Sequence, residues 1–349
     1  MTARTPAMRP IDVVVNSAGP WSTVRVEQPY GAMQEQGWDV RFVATPFDVV
    51  REIRDGALVI WQRPLPDSVA QWCSVIDGWR RRGCLVLVEW DDHPELFPSS
   101  IFERFLSVDH IHLRCCHALQ TSNPRLATVL RRFNPHVFEL ENGIKPLPQL
   151  RQESFQASAR VFLGNFNREE EQRQLAPAFQ QWMRESDAPC LVTIGSSGLE
   201  GLLPPERMER HPPLAYTAYR QLLASCQVAL LPLQCGEPQA CKTPIKWLEA
   251  AAESVAVVAG PELYGPWLEQ GRYGLLATDL SMMVPLARQL LMQPEQRMEM
   301  VSRAHARAHD FQLEIVLPWR KALYRHLNRL ADPLEYSLQR RFPIQQEAL

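Results

Sequence analysis

Residues 90–94 read Trp-Asp-Asp-His-Pro, so two carboxyl groups and an imidazole follow one another in the chain. The apolar run at 84–89 before them is typical of a buried strand in a parallel sheet. Since ligands of open α/β sheets bind at the carboxyl ends of the strands, we predict that Asp91, Asp92 and His93 contact a substrate. Such a trio can act as a general base or hydrogen-bond a hydroxyl group. An aspartate that caps the following segment is the structural alternative, and three adjacent residues seldom converge on one metal ion.

A second set of charged side chains lies around a predicted helix that begins near residue 244. Lys242, Lys246, Glu249 and Glu253 follow helical spacing on one face. A lysine in the first turn of a helix lies beside free backbone N–H groups, and together these groups can bind an anion such as a phosphate. The alternative is a solvated face on which Lys246 pairs with Glu249.

The elements around this helix follow the order helix, strand, loop, helix, strand between residues 219 and 264. Apolar runs at 228–233 and 255–259 predict the two strands. Thr243 is the predicted N-cap of the second helix, and Pro244 is its predicted first residue. This order is typical of a parallel α/β sheet.

The first half of the chain shows the same alternation of strands and helices. The loop 16–21 follows the first predicted strand and contains Gly19, which we predict to bind a ligand; an ordinary turn is an equally good alternative. The loop lacks the G-x-G-x-x-G pattern of dinucleotide-binding proteins. The predicted strands are 11–15, 39–44, 57–62, 84–89, 118–121 and 137–140, and the predicted helices are 30–36, 68–82 and one that begins at Pro124.

In the second half, the polar stretch 145–158 predicts a linker between two domains. The glycines at 195–201 have loose spacing with no helix after them, which argues against a phosphate loop. Predicted strands lie at 161–163 and 191–195, and predicted helices at 282–291, 294–308 and 315–330.

Composition narrows the class of protein. At 349 residues the chain is long for one hydrophobic core, so two domains are expected. A net charge of −2 gives no general attraction to nucleic acid, and the arginines at 80–82 are explained as the end of a helix. No apolar run is long enough to span a membrane, although contact with a membrane surface is left open. Eight cysteines without metal-binding spacing indicate a reducing, cytoplasmic compartment.

Several short motifs in the segment 219–264 match a known family. Pro232 ends the first strand, residues 248–250 read Leu-Glu-Ala, and residues 257–259 read Val-Val-Ala. With this pattern the chain resembles the C-terminal domain of GT-B glycosyltransferases of the family-4 type. The resemblance implies that Glu249 binds the ribose of a nucleotide sugar. Position 241, where that family has another glutamate, holds a cysteine, and Glu237 is the nearest candidate for its role.

The resemblance also implies a donor-phosphate loop after the strand at 161–163. The matching loop of the family carries a Gly-Arg pair and a lysine five residues beyond the arginine. Here Gly164 is kept, but Asn165 and Glu170 stand where the arginine and lysine would be. Arg168, Lys242 or Lys246 would have to supply the missing positive charge, so we take all three as candidate ligands of the donor.

From the residues and the resemblance we predict an α/β protein of GT-B architecture, with two Rossmann-like domains whose parallel sheets face a central cleft. Such an enzyme transfers a sugar from a nucleotide sugar, UDP- or GDP-linked, to the hydroxyl of a glycan or other acceptor. The resemblance implies retention of configuration and no metal or other cofactor. The predicted parts are an acceptor-side domain at 1–145, a donor domain at 146–312, a returning helix at 313–330 and a tail at 331–349.

Two rival functions remain open at the level of the sequence. The first is a non-catalytic GT-B scaffold or binding protein, which the missing arginine and lysine favour. The second is another GT-B enzyme, an epimerase or a phosphorylase, that uses the same kind of site. If the chain is a transferase, Lys246 belongs to the catalytic residues together with Asp91, Asp92 and His93, because the leaving phosphate must be neutralised.

Overall fold

A computed structural model describes residues 8–16, 22–44, 49–151, 159–164 and 168–344 of the chain. The chain divides into two compact units. One unit consists of residues 1–143 and 313–349, and the other of residues 144–312. Each unit contains one six-stranded sheet in which all neighbouring strands are parallel.

The sheet of the first unit has the strand order β2-β1-β3-β4-β5-β6. Its central strands β3 and β4 are buried along their whole length, as expected for a parallel sheet covered on both faces. The strands are β1 Ile11–Val15, β2 Val40–Ala44, β3 Leu58–Gln62, β4 Leu85–Glu89, β5 Ala118–Thr121 and β6 Val137–Glu139.

Helices connect these strands. A π-helical turn, Thr23–Glu27, comes directly before the first of them. They are α1 Gln28–Glu35, α2 Val49–Glu52, α3 Val69–Arg81, α4 Ser99–Ser107, α5 Ile111–Arg114 and α6 Pro124–Leu130. Two starts follow ordinary capping chemistry, since Ser68 accepts from the backbone N–H of Gln71 at 3.2 Å and Asn123 accepts from that of Arg125 at 2.7 Å.

The sheet of the second unit has the order β12-β11-β10-β7-β8-β9. Its strands are β7 Arg160–Leu163, β8 Cys190–Ile194, β9 Met208–His211, β10 Val228–Leu231, β11 Ala256–Ala259 and β12 Leu275–Leu276. Its helices are α7 Glu169–Gln174, α8 Ala176–Trp182, α9 Tyr216–Ala224, α10 Glu237–Ala240, α11 Ile245–Ala252, α12 Pro261–Leu268, α13 Met283–Met292 and α14 Pro294–Ala308. Two hydrophobic clusters of buried side chains lie in this unit. One includes Phe162 and Trp247, and the other includes Phe179.

Most predicted strands and helices are present with ends that differ by one or two residues. The start of α11 is one of the differences, because Pro244 is its N-cap and not its first helical residue. Thr243 still accepts a hydrogen bond from the backbone N–H of Ile245, at 3.3 Å. The strands β9 and β12 and the helices α4 and α5 are not predicted from the sequence; β9 is a partly exposed edge strand without an apolar run.

The C-terminal part of the first unit is helical. It consists of α15 Leu313–Arg329, which covers the helix predicted at 315–330, and α16 Ala331–Arg341 within the segment predicted as a tail. The buried hydroxyls of Tyr324 and Tyr30 lie 2.7 Å apart and join α15 to α1. Arg80 joins α3 to α16, with Nη2 2.7 Å from the Glu335 carboxylate. No helix in the described ranges is long and apolar enough to cross a membrane.

Candidate functional site

Polar side chains line the carboxyl edge of the first sheet. The register places Gln62, Glu89 and Gln120 on neighbouring strands at this edge. Arg25 reaches it from the π-helical turn and donates from Nε to Glu89 Oε1 at 2.8 Å. Gln120 donates from Nε2 to the other carboxylate oxygen at 2.5 Å. Both Arg25 and Glu89 are buried, so this ion pair and its hydrogen bonds fix the edge on which residues 90–93 stand.

Asp91 and Asp92 are both paired with Arg63, which directly follows β3. Nη2 of Arg63 donates to Oδ2 of Asp92 at 2.7 Å, and Nε contacts the Asp91 carboxylate. Arg63 adopts a left-handed backbone conformation with φ of 44°. Burial alone would lower the pKa of Arg63, but the charges of Asp91 and Asp92 outweigh burial and raise that pKa. This pairing holds the two aspartate side chains on one guanidinium group.

His93 has a local structural role in addition to its place beside the acids. Its Nδ1 accepts from the backbone N–H of Glu95 at 3.3 Å and so caps the short 3₁₀ turn Pro94–Leu96. The cap of this segment is therefore the histidine and not one of the aspartates. Because Nδ1 accepts, the neutral imidazole carries its proton on Nε2.

In the second unit, Glu249 lies on α11 with only 3% of its side chain exposed. The Tyr219 hydroxyl donates to Glu249 Oε2 at 2.7 Å, and Lys246 Nζ lies 3.3 Å from the same oxygen. Lys246 also lies over the Tyr219 ring, 4.2 Å from its centre. The pair expected for a solvated helix face is therefore present, but its carboxylate is buried and takes two donors.

Two further residues of the second unit lie in the electrostatic range of Glu249. Burial raises the pKa of Tyr264 on α12; the Arg168 charge acts against this shift and the Glu249 charge adds to it. Arg168 itself is paired with Glu171, with Nη1 2.9 Å from Oε1. Tyr264, which follows β11, thus lies in the electrostatic range of both Arg168 after β7 and Glu249 on α11.

The remaining candidate residues differ in how the structure accounts for them. A Cβ added at Gly164 would lie 2.3 Å from the Phe162 ring, so side-chain packing alone requires glycine there. Glu237 is the exposed first residue of α10, and Lys242 is a half-buried residue between α10 and α11. Gly19 and Asn165 lie outside the described residues.

The loop at 195–201 packs within the second unit. At Gly198, with φ of +66°, an added Cβ would meet the Glu169 carbonyl oxygen at 2.5 Å. Glu200 accepts from the Ser197 backbone N–H at 2.9 Å. These contacts give the loop a structural explanation, in agreement with the prediction that it is not a phosphate loop.

Four residues that contact or surround the predicted site residues are not predicted from the sequence. They are Arg25, Arg63, Tyr219 and Tyr264. Arg63 carried a weak signal because it directly follows a predicted strand. Nothing local marked Tyr219, which is 30 residues from its partner Glu249. Within the described part of the chain, no group of three or more His, Cys, Asp or Glu residues is arranged to hold a metal ion.

A comparison with known protein families gives a match within the second unit. Residues 168–312 match the family model described as "Glycosyl transferase-like". This segment is similar to glycosyl transferase-like domains. The match covers most of the second unit but less than half of the whole chain. It confirms the predicted resemblance to glycosyltransferases. Curated proteins give no match.

Solved structures extend the likeness to both units. Sucrose-phosphate synthase from Thermosynechococcus elongatus is 14% identical, with a TM-score of 0.67 over 92% of this chain and 99% of that one. HepE from Anabaena, in complex with UDP-glucose, is 13% identical, with a TM-score of 0.66 over 91% and 99%. A glycosyltransferase from Rickettsia africae is 10% identical, with a TM-score of 0.65 over 92% and 99%. At these identities the likeness establishes the fold, and the predicted GT-B class of α/β fold is confirmed.

Proposed function

We propose that the chain is a glycosyltransferase that transfers a sugar from a nucleotide sugar to an acceptor hydroxyl. The observation that carries the proposal is the buried Glu249 with Lys246 one turn before it, inside the segment that matches the glycosyltransferase family. A buried carboxylate is costly unless it has partners, and here it lies beside one cationic side chain, Lys246, and one hydroxyl donor, Tyr219. HepE, a protein of similar fold, was crystallised with UDP-glucose, which makes a uridine nucleotide the first donor to consider.

Glu249 is proposed to accept hydrogen bonds from the ribose hydroxyls of the donor. An ionised carboxylate has only acceptors, and it suits a pair of hydroxyl donors. Lys246 pairs with this carboxylate, because its ammonium group lies 3.3 Å from Glu249 Oε2. Glu237, Gly164 and Asn165 are proposed to contact the donor as well, by the same family resemblance.

The donor phosphates are proposed to be neutralised by Lys246, Lys242 and Arg168. In the transfer, the bond between the anomeric carbon and the phosphate oxygen breaks, and a bond from that carbon to the acceptor oxygen forms. The nucleoside diphosphate leaves with additional negative charge, and an oxygen of the leaving phosphate takes up the proton that the acceptor hydroxyl gives up. Fixed cations next to the phosphates lower the free energy of this charged state. Charge neutralisation by side chains requires no divalent metal, and we propose a metal-independent, retaining reaction.

The first unit is proposed to bind the acceptor through residues 91–93, together with Gly19. Ionised Asp92 can accept a hydrogen bond from an acceptor hydroxyl, and the protonated Nε2 of His93 can donate one. Asp91 pairs with Arg63, and its Oδ2 lies 3.6 Å from Arg25 Nε. It is therefore better placed to orient Asp92 and His93 than to remove a proton. A glycan, a lipid or a small molecule remain the classes of acceptor. The free thiols of all eight cysteines fit the proposed cytoplasmic location.

One observation favours the alternative of a binding protein without donor chemistry. Arg168, which would have to replace a family arginine, is paired with Glu171 at 2.9 Å. If a donor does not displace that pair, only Lys242 and Lys246 neutralise the phosphates. Such a protein would bind a nucleotide but release no product from a nucleotide sugar.

The proposal is tested by release of nucleoside diphosphate from UDP-glucose, GDP-mannose and ADP-glucose, with and without EDTA. We expect release from one donor, unchanged by EDTA, and a loss of at least about tenfold in Lys246→Met. Lys321→Met is the matched control, because Lys321 lies on α15 of the first unit over the Trp38 ring. Binding without any release would favour the alternative, and neither binding nor release would overturn both.

A further inference from the structure

We propose that Tyr219 is a positioning residue that sets the orientation of the Glu249 carboxylate and thereby the selectivity of the nucleotide site for a ribose. This inference rests on the proposed function, because it assigns a consequence to the contact between Glu249 and the donor. Tyr219 lies on α9, and no sequence motif pointed to it. Its role is inferred from the geometry around one carboxylate oxygen.

Two groups, a hydroxyl and an ammonium, converge on Oε2 of Glu249. The Tyr219 hydroxyl lies 2.7 Å from it, and Lys246 Nζ lies 3.3 Å from it. Two donors on one oxygen restrain rotation of the carboxylate about its last side-chain torsion, which is otherwise broad. In the proposal, Oε1 is the oxygen that accepts from a ligand hydroxyl. Selectivity between hydroxyl and hydrogen depends on such a fixed acceptor.

Tyr219 is itself held rigidly. It is buried, and its ring meets the Phe162 ring edge-on at 5.9 Å. Lys246 covers its ring at 4.2 Å, so the same lysine restrains both the tyrosine and the glutamate. Burial, together with the Glu249 charge, raises the pKa of Tyr219 well above its usual value. The hydroxyl therefore remains a hydrogen-bond donor throughout the pH range in which the protein works.

A neighbouring tyrosine has a different set of partners. Tyr216 also lies on α9, and burial, the Glu249 charge and a hydrogen bond with the Glu249 side chain raise its pKa. Its hydroxyl, however, accepts from Arg220 Nη1 at 3.2 Å. Arg220 is held in turn by Glu253, at 2.6 Å, one turn after Glu249. Tyr216 thus contacts the Arg220–Glu253 ion pair, which joins α9 to α11.

Without the Tyr219 hydroxyl, the ammonium of Lys246 would be the only donor to Oε2 among these residues. A single flexible ammonium fixes the orientation of the carboxylate less well than a buried phenol does, because lysine has a long side chain with several free torsions. The carboxylate would then lose its preferred orientation. Affinity for the ribose hydroxyls should fall, whereas binding of the phosphates and the base should change little.

The test uses the full chain and compares the dissociation constants of UDP, 2′-deoxy-UDP and 3′-deoxy-UDP by calorimetry. If the wild type does not bind UDP, GDP and ADP take its place with their deoxy forms. We expect Tyr219→Phe to bind the ribonucleotide about tenfold more weakly, as for loss of a hydrogen bond to a charged group. Binding of at least one deoxynucleotide should stay within about threefold. The ratio of the two constants is the readout, since a general loss of stability would weaken both nucleotides alike.

Tyr324→Phe is the matched control, because it removes a buried, hydrogen-bonded tyrosine hydroxyl from the first unit. Its ratio should equal that of the wild type. In the Glu249→Ala background, Tyr219→Phe should cause no further change, since the tyrosine acts through the glutamate side chain. If Tyr219→Phe fails to fold, Glu249→Asp replaces it, because this change withdraws the carboxylate from the hydroxyl and keeps the charge.

The possible outcomes distinguish failure of the proposed function from failure of the role assigned to Tyr219. A wild type that binds none of the nucleoside diphosphates overturns the proposed function and this inference together. A wild type that prefers the ribonucleotide, with the same preference in Tyr219→Phe, overturns only the role of Tyr219. Additive losses in the double variant would do the same.

Discussion

Nη2 of Arg63 lies 2.7 Å from Oδ2 of Asp92, so a cation from the end of one strand holds an acid that follows the neighbouring strand. Nε of the same guanidinium contacts Asp91. Arg63 therefore offsets the repulsion between two adjacent carboxylates and fixes their orientation. Two oriented carboxylates are suited to accept hydrogen bonds from hydroxyl groups.

Replacement of Arg63 by lysine should disrupt this arrangement. One ammonium group does not reproduce the fork of a guanidinium that contacts two carboxylates. We expect a loss of about 1–3 kcal/mol in the free energy of unfolding, because buried Asp91 loses much of its pairing. Sugar transfer should fall at least about tenfold. Urea unfolding and a transfer assay measure the two effects.

The control for this variant is Arg104→Lys. Arg104 pairs with Asp67, whose side chain is 66% exposed. Exposed ion pairs contribute about 0–1 kcal/mol, so this change should have little effect on stability or transfer. If Arg63→Lys behaves like Arg104→Lys, the contacts of the Arg63 guanidinium with Asp91 and Asp92 are not needed for function.

Glu249 and Glu253 provide a matched pair at the end of α11. Both are buried and paired, but Glu249 is the proposed ligand of the ribose and Glu253 binds Arg220 at 2.6 Å. We expect Glu249→Gln to raise the donor KM about tenfold or more at nearly unchanged stability, because Tyr219 can still donate to the amide oxygen. Glu253→Gln should lower stability and leave the donor KM near that of the wild type. The reverse pattern would move the ribose contact away from Glu249.

His112 should make the protein sensitive to acid. It is fully buried in an aromatic cluster, 4.9 Å from the Trp90 ring centre, and neither of its ring nitrogens has a hydrogen-bond partner among the described residues. Burial, aided by the charge of His110, lowers the pKa of His112 to about 3. In the unfolded chain the pKa is near 6.5, so the unfolded state takes up the proton first as the pH falls.

Stability from the neutral His112 is therefore present above about pH 6.5 and is lost progressively between pH 6.5 and pH 3. Between pH 7 and pH 5 the loss should be about 2 kcal/mol. His112→Phe removes this contribution, so its stability should fall by less over the same interval, as measured by urea unfolding at both pH values. Equal losses in wild type and variant would show that another group causes the acid sensitivity.

Cys73 should be the most reactive of the thiols on and near α3. Its sulfur lies 3.9 Å from that of Cys115. The hydrogen bond with Cys115 lowers the pKa of Cys73 to about 7, although burial opposes the shift. Since the thiolate is the nucleophile, about half of Cys73 is reactive at pH 7, against a few per cent for an ordinary thiol.

Alkylation by iodoacetamide, followed by peptide mass spectrometry between pH 6 and pH 9, measures this shift. The rate at Cys73 should be half-maximal near pH 7 in the wild type. In Cys115→Ala it should be half-maximal about one to two pH units higher, because the donor is gone. A profile that Cys115→Ala leaves unchanged would contradict the proposed hydrogen bond.

Much of the fold follows from local sequence. Continuous apolar runs mark β3 and β4 because these strands are buried on both faces. The edge strand β9 has no such run, since half-exposed positions tolerate its charged residues. Capping residues such as Ser68 mark helix starts for the same local reason.

The candidate site was predicted only in part, because its contacts join distant positions. Residues 91–93 could be placed at a strand end from local pattern alone. Their partner Arg63 is 28 positions from Asp91, and Tyr219 is 30 positions from Glu249. Such pairings depend on strand order and helix packing, which one sequence does not specify. Gly164 shows that a glycine in a predicted ligand loop can also have a packing reason, since an added Cβ would lie 2.3 Å from the Phe162 ring.

The central claim is that the second unit binds a nucleotide through Glu249. The most direct test is thermal unfolding of the wild type and of Glu249→Gln against UDP, GDP, ADP and their sugar conjugates, without metal. A ligand at about 100 times its dissociation constant adds about 2.7 kcal/mol of stability, which raises the melting temperature by several degrees. We predict such a shift with one nucleotide in the wild type and its loss in Glu249→Gln. No shift with any nucleotide, or an equal shift in both proteins, would contradict the claim.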